Sequence, residues 1–322
     1  MNRRAALPRL SGSMLGSRTM KGLFIDASDA LADVFHAMRQ PGDPPCDVHD
    51  AADIDPADLP RLLAGYDYVL DDHSQMPTDM IRHCPDLKHI IFLGTGARSY
   101  MNPEELAAIG VTVHTIKGYG DIAVAEHTVA LMWAAARGLA RMDGGLRRGE
   151  WLRTEGVQLT GKTIGLIGFG GIAGEVARIA NGSGMRVLAW NRTPREAPGV
   201  TFVDLDSLLG ESHVISLHLL LNDETRGFLT AAHMARMRPG AILLNTARAA
   251  LVDEPAMIAA LRSGHIAHAG LDVFNEEPLP AGHVLTTLEN VTLSAHSAFR
   301  TPEASDTLIR RALDIAKQVA AG

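Results

Sequence analysis

Cysteine is nearly absent: Cys46 and Cys84 are the only two in 322 residues. Two thiols cannot build the disulfide framework that staples small secreted domains, so a reducing, cytoplasmic setting is expected. Long hydrophobic runs are missing as well, and none approaches the ~20 residues needed to span a bilayer. Positive charge is in deficit, with 30 Lys and Arg against 37 Asp and Glu and a net charge of −7. Nothing electrostatic therefore favours a nucleic acid or an anionic membrane as partner. The 14 histidines form no HExxH pattern and no Cys/His cluster, so no metal is expected. His265 and His268, three apart, read as surface residues.

What is present has ordinary globular composition, 46% hydrophobic and 21% charged. The length suggests two domains with cores that need no staple. The first 20 residues differ from the rest, carrying Arg3, Arg4, Arg9 and Arg18 and no acid. That composition has the flavour of an organellar transit peptide. The simpler expectation for residues 1–20 is a disordered extension, with Met20 as the effective start.

Short apolar runs alternate with helical patterns, the signature of an α/β fold with parallel sheets. In the second half, strands are predicted at Thr163–Ile167, Arg186–Trp190, Val214–Leu217, Ala241–Asn245, Ala267–Leu271 and Val291–Leu293. Six strands is the count of a doubly wound dinucleotide domain. The first half repeats the theme in a smaller unit, with strands predicted at Leu23–Ile25, Tyr68–Leu70, His89–Leu93 and Thr112–His114. Ala123–Arg141 is predicted as one long, largely apolar helix joining the units; such a helix must be buried, in its domain or at a subunit interface. A helix over Pro302–Ala321 follows the last strand.

The strongest motif is the run from Lys162 to Gly174, a buried strand that enters a glycine turn and then a helix. Gly168 permits the tight turn, and Gly170 lets the backbone approach a pyrophosphate. Ala173 takes the third, helix-packing position. The N–H groups of Gly171 and Ile172 open the helix, whose positive end favours the phosphates. A lone GxGxxG is weak evidence, but here it opens the first strand of a long α/β run. A nicotinamide dinucleotide and an oxidoreductase follow. The next strand ends in Asn191-Arg192-Thr193 rather than in the acid that accepts ribose hydroxyls in NAD enzymes. An arginine there favours a 2′-phosphate, so NADP (NADPH) is expected to be preferred, with NAD possible.

Three further stretches bring ionisable groups to strand C-termini, where open α/β sheets bind ligands. Asn245-Thr246-Ala247-Arg248 delivers a guanidinium suited to clamping a carboxylate. Asp272 is followed by Glu276 and Glu277 before Pro278. Ser294-Ala295-His296 ends the last strand with a histidine, and a carboxylate partner would favour its proton-donating form near neutral pH.

These residues resemble the D-isomer-specific 2-hydroxyacid dehydrogenase family from about Lys21 onward. The motifs, in the family's order, are Val124-Ala-Glu126-His127, Gly149-Glu-Trp151, Leu159-Thr-Gly161-Lys162, the Gly168 loop, Asn245-Thr-Ala-Arg248, Leu271-Asp-Val-Phe274, Glu277-Pro278 and Ser294-Ala-His296. The resemblance implies two Rossmann-like domains, a doubly wound parallel-sheet cofactor domain and a smaller, discontinuous flavodoxin-like substrate domain. Their expected bounds are 120–295 for the cofactor domain and 21–119 with 296–322 for the substrate domain. The resemblance implies that Arg248 binds the substrate carboxylate and polarises the keto oxygen. It implies that His296 passes a proton to that oxygen and that Glu277, the acid next to the proline, holds His296. Asp272 would contact the nicotinamide amide, and Gly171–Ile172 with Thr246–Arg248 would line the cofactor cleft. The backbone of Thr95, Gly96 and Ala97 resembles the loop that binds the substrate carboxylate. Ala295 and Ala249 depart from the family's usual proline and glycine, and Leu220 from a proline. Reduction of a small 2-keto acid, glyoxylate or hydroxypyruvate first, by a homodimer is the implied activity. The alternatives are a phosphoglycerate dehydrogenase-like enzyme and a non-catalytic NAD(P)-sensing module.

Overall fold

A computed structural model describes residues 19–49, 51, 53–193 and 195–321. The extension expected over residues 1–20 lies outside these, apart from its last two positions. The described chain divides into two compact units. One holds the residues through Lys117 together with those from Leu308 onward, the other Gly118–Thr307.

The first unit alternates β1 (Gly22–Phe24), α1 (Asp29–Met38), β2 (Cys46–Val48), α2 (Leu59–Leu62), β3 (Tyr68–Asp71), α3 (Thr78–Ile81), β4 (His89–Phe92), α4 (Pro103–Ala108) and β5 (Thr112–Thr115). Its sheet runs β2-β1-β3-β4-β5 and is parallel throughout. This is the flavodoxin-like strand order. Parallel strands covered on both faces need continuous apolar runs, and Ile90, Ile91 and Phe92 are all buried. Leu23, Val69 and Ile90 pack with Leu59, Ile81 and Leu106 from the helices and with Leu63 just past α2. The strand β2 was not among those predicted. It is three residues long with a central Asp47, too short and polar to give a periodic signal.

The second unit begins with α5 (Asp121–Arg137) and α6 (Leu139–Arg147). It continues through β6 (Thr163–Ile167), α7 (Gly171–Gly182), β7 (Arg186–Trp190), β8 (Val200–Phe202), α8 (Leu205–Glu211), β9 (Val214–Leu217), α9 (Ala231–Arg236), β10 (Ala241–Asn245), α10 (Glu254–Ser263), β11 (Ile266–Leu271) and β12 (Val291–Leu293). The boundary between the units falls inside the last helix, α11 (Pro302–Ala321). The sheet is parallel and seven-stranded, in the order β12-β11-β10-β9-β6-β7-β8. It is doubly wound, and its strand order reverses between β6 and β9, the switch point where such sheets take ligands.

Three expectations need correction. The sheet has seven strands rather than six, because β8 adds a three-residue edge strand beside β7. The single helix expected over Ala123–Arg141 is two helices. Gly138 takes a left-handed conformation (φ 61°), and its N–H bonds back to the Ala134 and Ala135 carbonyls. This closes α5 as an αL cap, and α6 restarts at Leu139. His268 is not a surface residue: it is 9% exposed, and its Nε2 lies 2.9 Å from Thr292 Oγ1. The β10–β11 register shifts here, so that Ile266 pairs with Ala241 and His268 with Ile242. Ala267 is the extra residue of this bulge and stays exposed, while His268 returns to the buried pairing. Burial pushes its imidazole down to about 4. No helix among the described residues is long and apolar enough to cross a membrane.

Candidate active site

The glycine turn follows β6 at the switch point. Gly168 has φ +88°, and a β-carbon there would meet the His218 carbonyl oxygen at 2.6 Å. Both the conformation and the close approach demand glycine. Gly170 is extended, and a β-carbon on it would meet nothing within 4 Å, so this side of the loop is open. Helix α7 starts at Gly171 with no side-chain cap and no acid in its first turn. An open glycine face leading into a helix N-terminus with no capping side chain of its own suits a pyrophosphate. Ile172 packs on the hydrophobic core behind the loop.

At the end of β7, Asn191 ties two loops together. Its Oδ1 accepts from the Phe169 N–H at 3.2 Å, and its Nδ2 donates to the Thr193 carbonyl at 2.7 Å. Arg192 is exposed and ion-paired with the exposed Glu224.

After β10, Asn245 performs the same service for the arginine. Its Oδ1 accepts from the Ala247 N–H at 3.0 Å, and its Nδ2 donates to the Arg248 carbonyl at 2.9 Å. Arg248 Nη1 donates to the Ala247 carbonyl at 2.7 Å. Thr246 reaches Thr128 on α5, hydroxyl to hydroxyl, at 2.7 Å. Because Thr128 donates its only proton to the Val124 carbonyl, Thr246 is the donor of this pair.

Asp272, just past β11, is fully buried. Burial works to raise its pKa. Hydrogen bonds from His127, Ser294 and the Ser297 and Ala298 N–H groups outweigh that and hold the carboxyl below the usual range. Ser294 Oγ donates to Oδ1 at 2.6 Å, Ser297 N to Oδ1 at 3.0 Å and Ala298 N to Oδ2 at 3.0 Å. Because the Ser294 proton points at Asp272, His127 Nε2 donates to Ser294 Oγ, at 2.8 Å. The Asp272 backbone carbonyl accepts from the His296 N–H at 2.8 Å. One buried carboxylate thus fixes the whole loop from Ser294 to Ala298.

That loop carries His296. Its Nδ1 lies 2.6 Å from Glu277 Oε2. Glu277 Oε1 accepts from the Phe274 N–H at 2.8 Å, so both carboxylate oxygens are engaged and the ring is held at one nitrogen. Phe299 meets the imidazole edge-on, with ring centroids 6.0 Å apart. His296 has φ 48°, the only positive φ at a non-glycine residue among the described residues. Such strain concentrates at functional sites and persists only where the surroundings enforce it.

Residues 168–172, 191–193, 246–248, Asp272, Glu277 and His296 all lie past strand C-termini of one sheet. Thr95, Gly96 and Ala97 follow β4 of the other unit's sheet. There Ala97 is buried and opens a 3₁₀ turn through Ser99, while Thr95 is exposed. The neighbouring Gly94 N–H is engaged by the Phe92 carbonyl at 2.8 Å, and Arg98 is paired with Glu104. Sequence reasoning left His127, Thr128 and Ser294 without roles. Polar residues at 127 and 128 inside a largely apolar helix were the available signal.

The sequence profile described as "D-isomer specific 2-hydroxyacid dehydrogenase, NAD binding domain" matches residues 129–298, more than half the chain. The chain belongs to this family. A glycerate dehydrogenase of Methylorubrum extorquens is 33% identical over 277 residues, 83% of this chain and 87% of the relative. A glyoxylate reductase of Aeropyrum pernix is 38% identical over 256 residues, 76% of this chain and 75% of the relative. Among solved structures, the TT0316 protein from Thermus thermophilus superposes with a TM-score of 0.82 at 32% identity, covering 91% of this chain and 94% of that one. The matched segment, described as NAD binding, contains the glycine loop that follows β6.

Proposed function

We propose that this dehydrogenase reduces a small 2-keto acid to the D-2-hydroxy acid, with glyoxylate and hydroxypyruvate as first candidates. The carrying observation is the Glu277–His296 pair at 2.6 Å, an imidazole held at Nδ1 with Nε2 left to serve a substrate oxygen. The relatives named glycerate dehydrogenase and glyoxylate reductase support the substrate class.

In this reading a nicotinamide dinucleotide held at the turn of residues 168–172 would supply the hydride for the keto carbon. Arg248 binds the substrate carboxylate and draws electron density toward the keto oxygen. His296 gives its Nε2 proton to that oxygen, and Glu277 stabilises the charged imidazole before transfer and holds its tautomer. Solvent returns the proton. The reaction therefore consumes keto acid, reduced cofactor and one proton, and yields hydroxy acid and oxidised cofactor. Asp272 acts through the loop it fixes as well as through any approach to the nicotinamide. Thr246, Ala247, Gly168, Gly170, Gly171 and Ile172 would line the cofactor, and the backbone of Thr95, Gly96 and Ala97 would bind the substrate carboxylate. The domains in this reading are residues 21–119 with 296–322 for substrate and 120–295 for cofactor.

The proposed preference is NADPH. Asn191 puts no negative charge where a 2′-phosphate would sit, and Arg192 can turn to it by leaving an exposed ion pair of small strength. For a phosphorylated substrate an added cation is needed, and Arg98 is engaged by Glu104, which favours the unphosphorylated acids. A cytoplasmic homodimer completes the proposal. Leu139, Leu146, Trp151 and Val157, on α6 and the segment after it, are exposed large hydrophobics of the kind that mark an interface.

Initial velocities with glyoxylate and hydroxypyruvate, each with NADPH and NADH, test the reading. Strong NADPH oxidation is the expected result. Faster NADH oxidation overturns the cofactor preference, and no turnover in any of the four assays overturns the substrate class.

A further inference from the structure

We propose that Asp121 is a resident anion at the phosphate-binding turn, which the cofactor must displace and which thereby sets how tightly the cofactor binds. The inference rests on the reading that the glycine loop takes a nicotinamide dinucleotide.

Helix α7 begins on glycines, with Gly170 as N-cap, no capping side chain and no acid in the first turn. A helix built this way leaves its first N–H groups and its partial positive charge without a partner from its own sequence. An acid reaches it from elsewhere. A β-carbon added at Gly171 would overlap Oδ2 of Asp121, so that oxygen lies against the first residue of α7. Asp121 is also the first residue of α5, whose N-cap Gly120 likewise makes no side-chain bond. Two helices, of 17 and 12 residues, thus bring their N-termini to one carboxylate. The field of both ends favours a negative charge there. The same field recognises a pyrophosphate.

A pyrophosphate seated on this turn would meet a carboxylate already beside it, with no basic side chain on residues 168–174 to separate them. The carboxylate must then swing aside or remain and repel. Either way part of the attraction between helix and cofactor goes into removing the first anion. Glycine at 171 is what admits Asp121, because any side chain there would fill the space its oxygen occupies.

The test compares wild type with Asp121→Asn and Asp121→Ala. Binding of NADPH and NADH is titrated by fluorescence, and thermal unfolding is followed without cofactor. Loss of the charge should tighten binding of both cofactors roughly 3- to 10-fold, the scale of charge effects at helix ends. It should also lower the cofactor-free melting temperature by about 2 °C. Opposite signs on affinity and stability are the signature of a displaced anion. Gly171→Ala should destabilise the wild type but not the Asp121→Ala background, where the slot is vacant. Unchanged or weaker cofactor binding by both Asp121 variants overturns the inference, weaker binding meaning that the carboxylate contacts the cofactor directly. If wild type binds neither cofactor, the cofactor reading itself fails, and this inference with it.

Discussion

Glu277 grips His296 with one oxygen and the protein backbone with the other: Oε2 lies 2.6 Å from Nδ1, and Oε1 accepts from the Phe274 N–H at 2.8 Å. The carboxylate cannot swing away without breaking both bonds. Replacing Glu277 with Gln keeps an acceptor for Phe274 and removes the charge. Keto-acid reduction should fall roughly 100-fold, the scale of losing effective general-acid function, while cofactor affinity stays within about twofold. Near-normal turnover would remove Glu277 from the mechanism.

Arg248 has its carbonyl held by Asn245 and its guanidinium beside the Ala247 carbonyl. Arg248→Ala should abolish measurable turnover and leave the cofactor dissociation constant nearly unchanged. Arg248→Lys restores the charge but not the two-pronged geometry, so it should recover only a small part of kcat/KM. Full rescue by lysine would show that charge alone suffices.

Glu224 competes for Arg192. Glu224→Gln should free the guanidinium and remove a nearby negative charge, improving NADPH binding a few-fold and leaving NADH binding unchanged. Arg192→Ala should do the reverse to NADPH alone. Equal effects on both cofactors would show that this side chain does not read the 2′-phosphate.

His268 makes a pH prediction of definite sign. Burial lowers its pKa from 6.5 to about 4, so the folded state prefers the neutral ring. The associated stability is present above pH 6.5 and is lost as pH falls from about 6.5 toward 4. Across that window the loss should approach about 3 kcal/mol. His268→Gln should flatten the pH dependence of the urea midpoint between pH 7 and 4.5. An unchanged slope would mean that the ring titrates normally.

The sequence made the glycine loop, the strand ends and the catalytic candidates legible because each follows a continuous apolar strand that announces its own C-terminus. It did not announce β2 or β8, which are three-residue strands stabilised by their neighbours rather than by their own pattern. Gly138 was visible as a glycine inside an apolar helix, yet its left-handed φ is decided by the start of α6. His268 was misplaced because a bulge at Ala267 breaks the alternation of β11, leaving Ala267 exposed while His268 pairs with buried Ile242. The support for His296 was the least legible part. His127 and Ser294, 167 residues apart, are brought together with Asp272 by the sheet, and no local spacing encodes that meeting.

The unit that opens the described chain needs residues near its end. From Leu308, α11 belongs to that unit, with Leu308, Ile309, Ala312, Leu313 and Ala316 buried. Arg310 also donates to Asp43, whose side chain is 1% exposed, and to the Met38 carbonyl. On the ribosome, β1 to β5 would emerge before α11 and be separated from it by all of Gly118–Thr307. That unit is therefore completed only after the other has been synthesised, and until then it lacks the apolar residues that α11 contributes, a state in which partly folded chains are prone to wrong contacts.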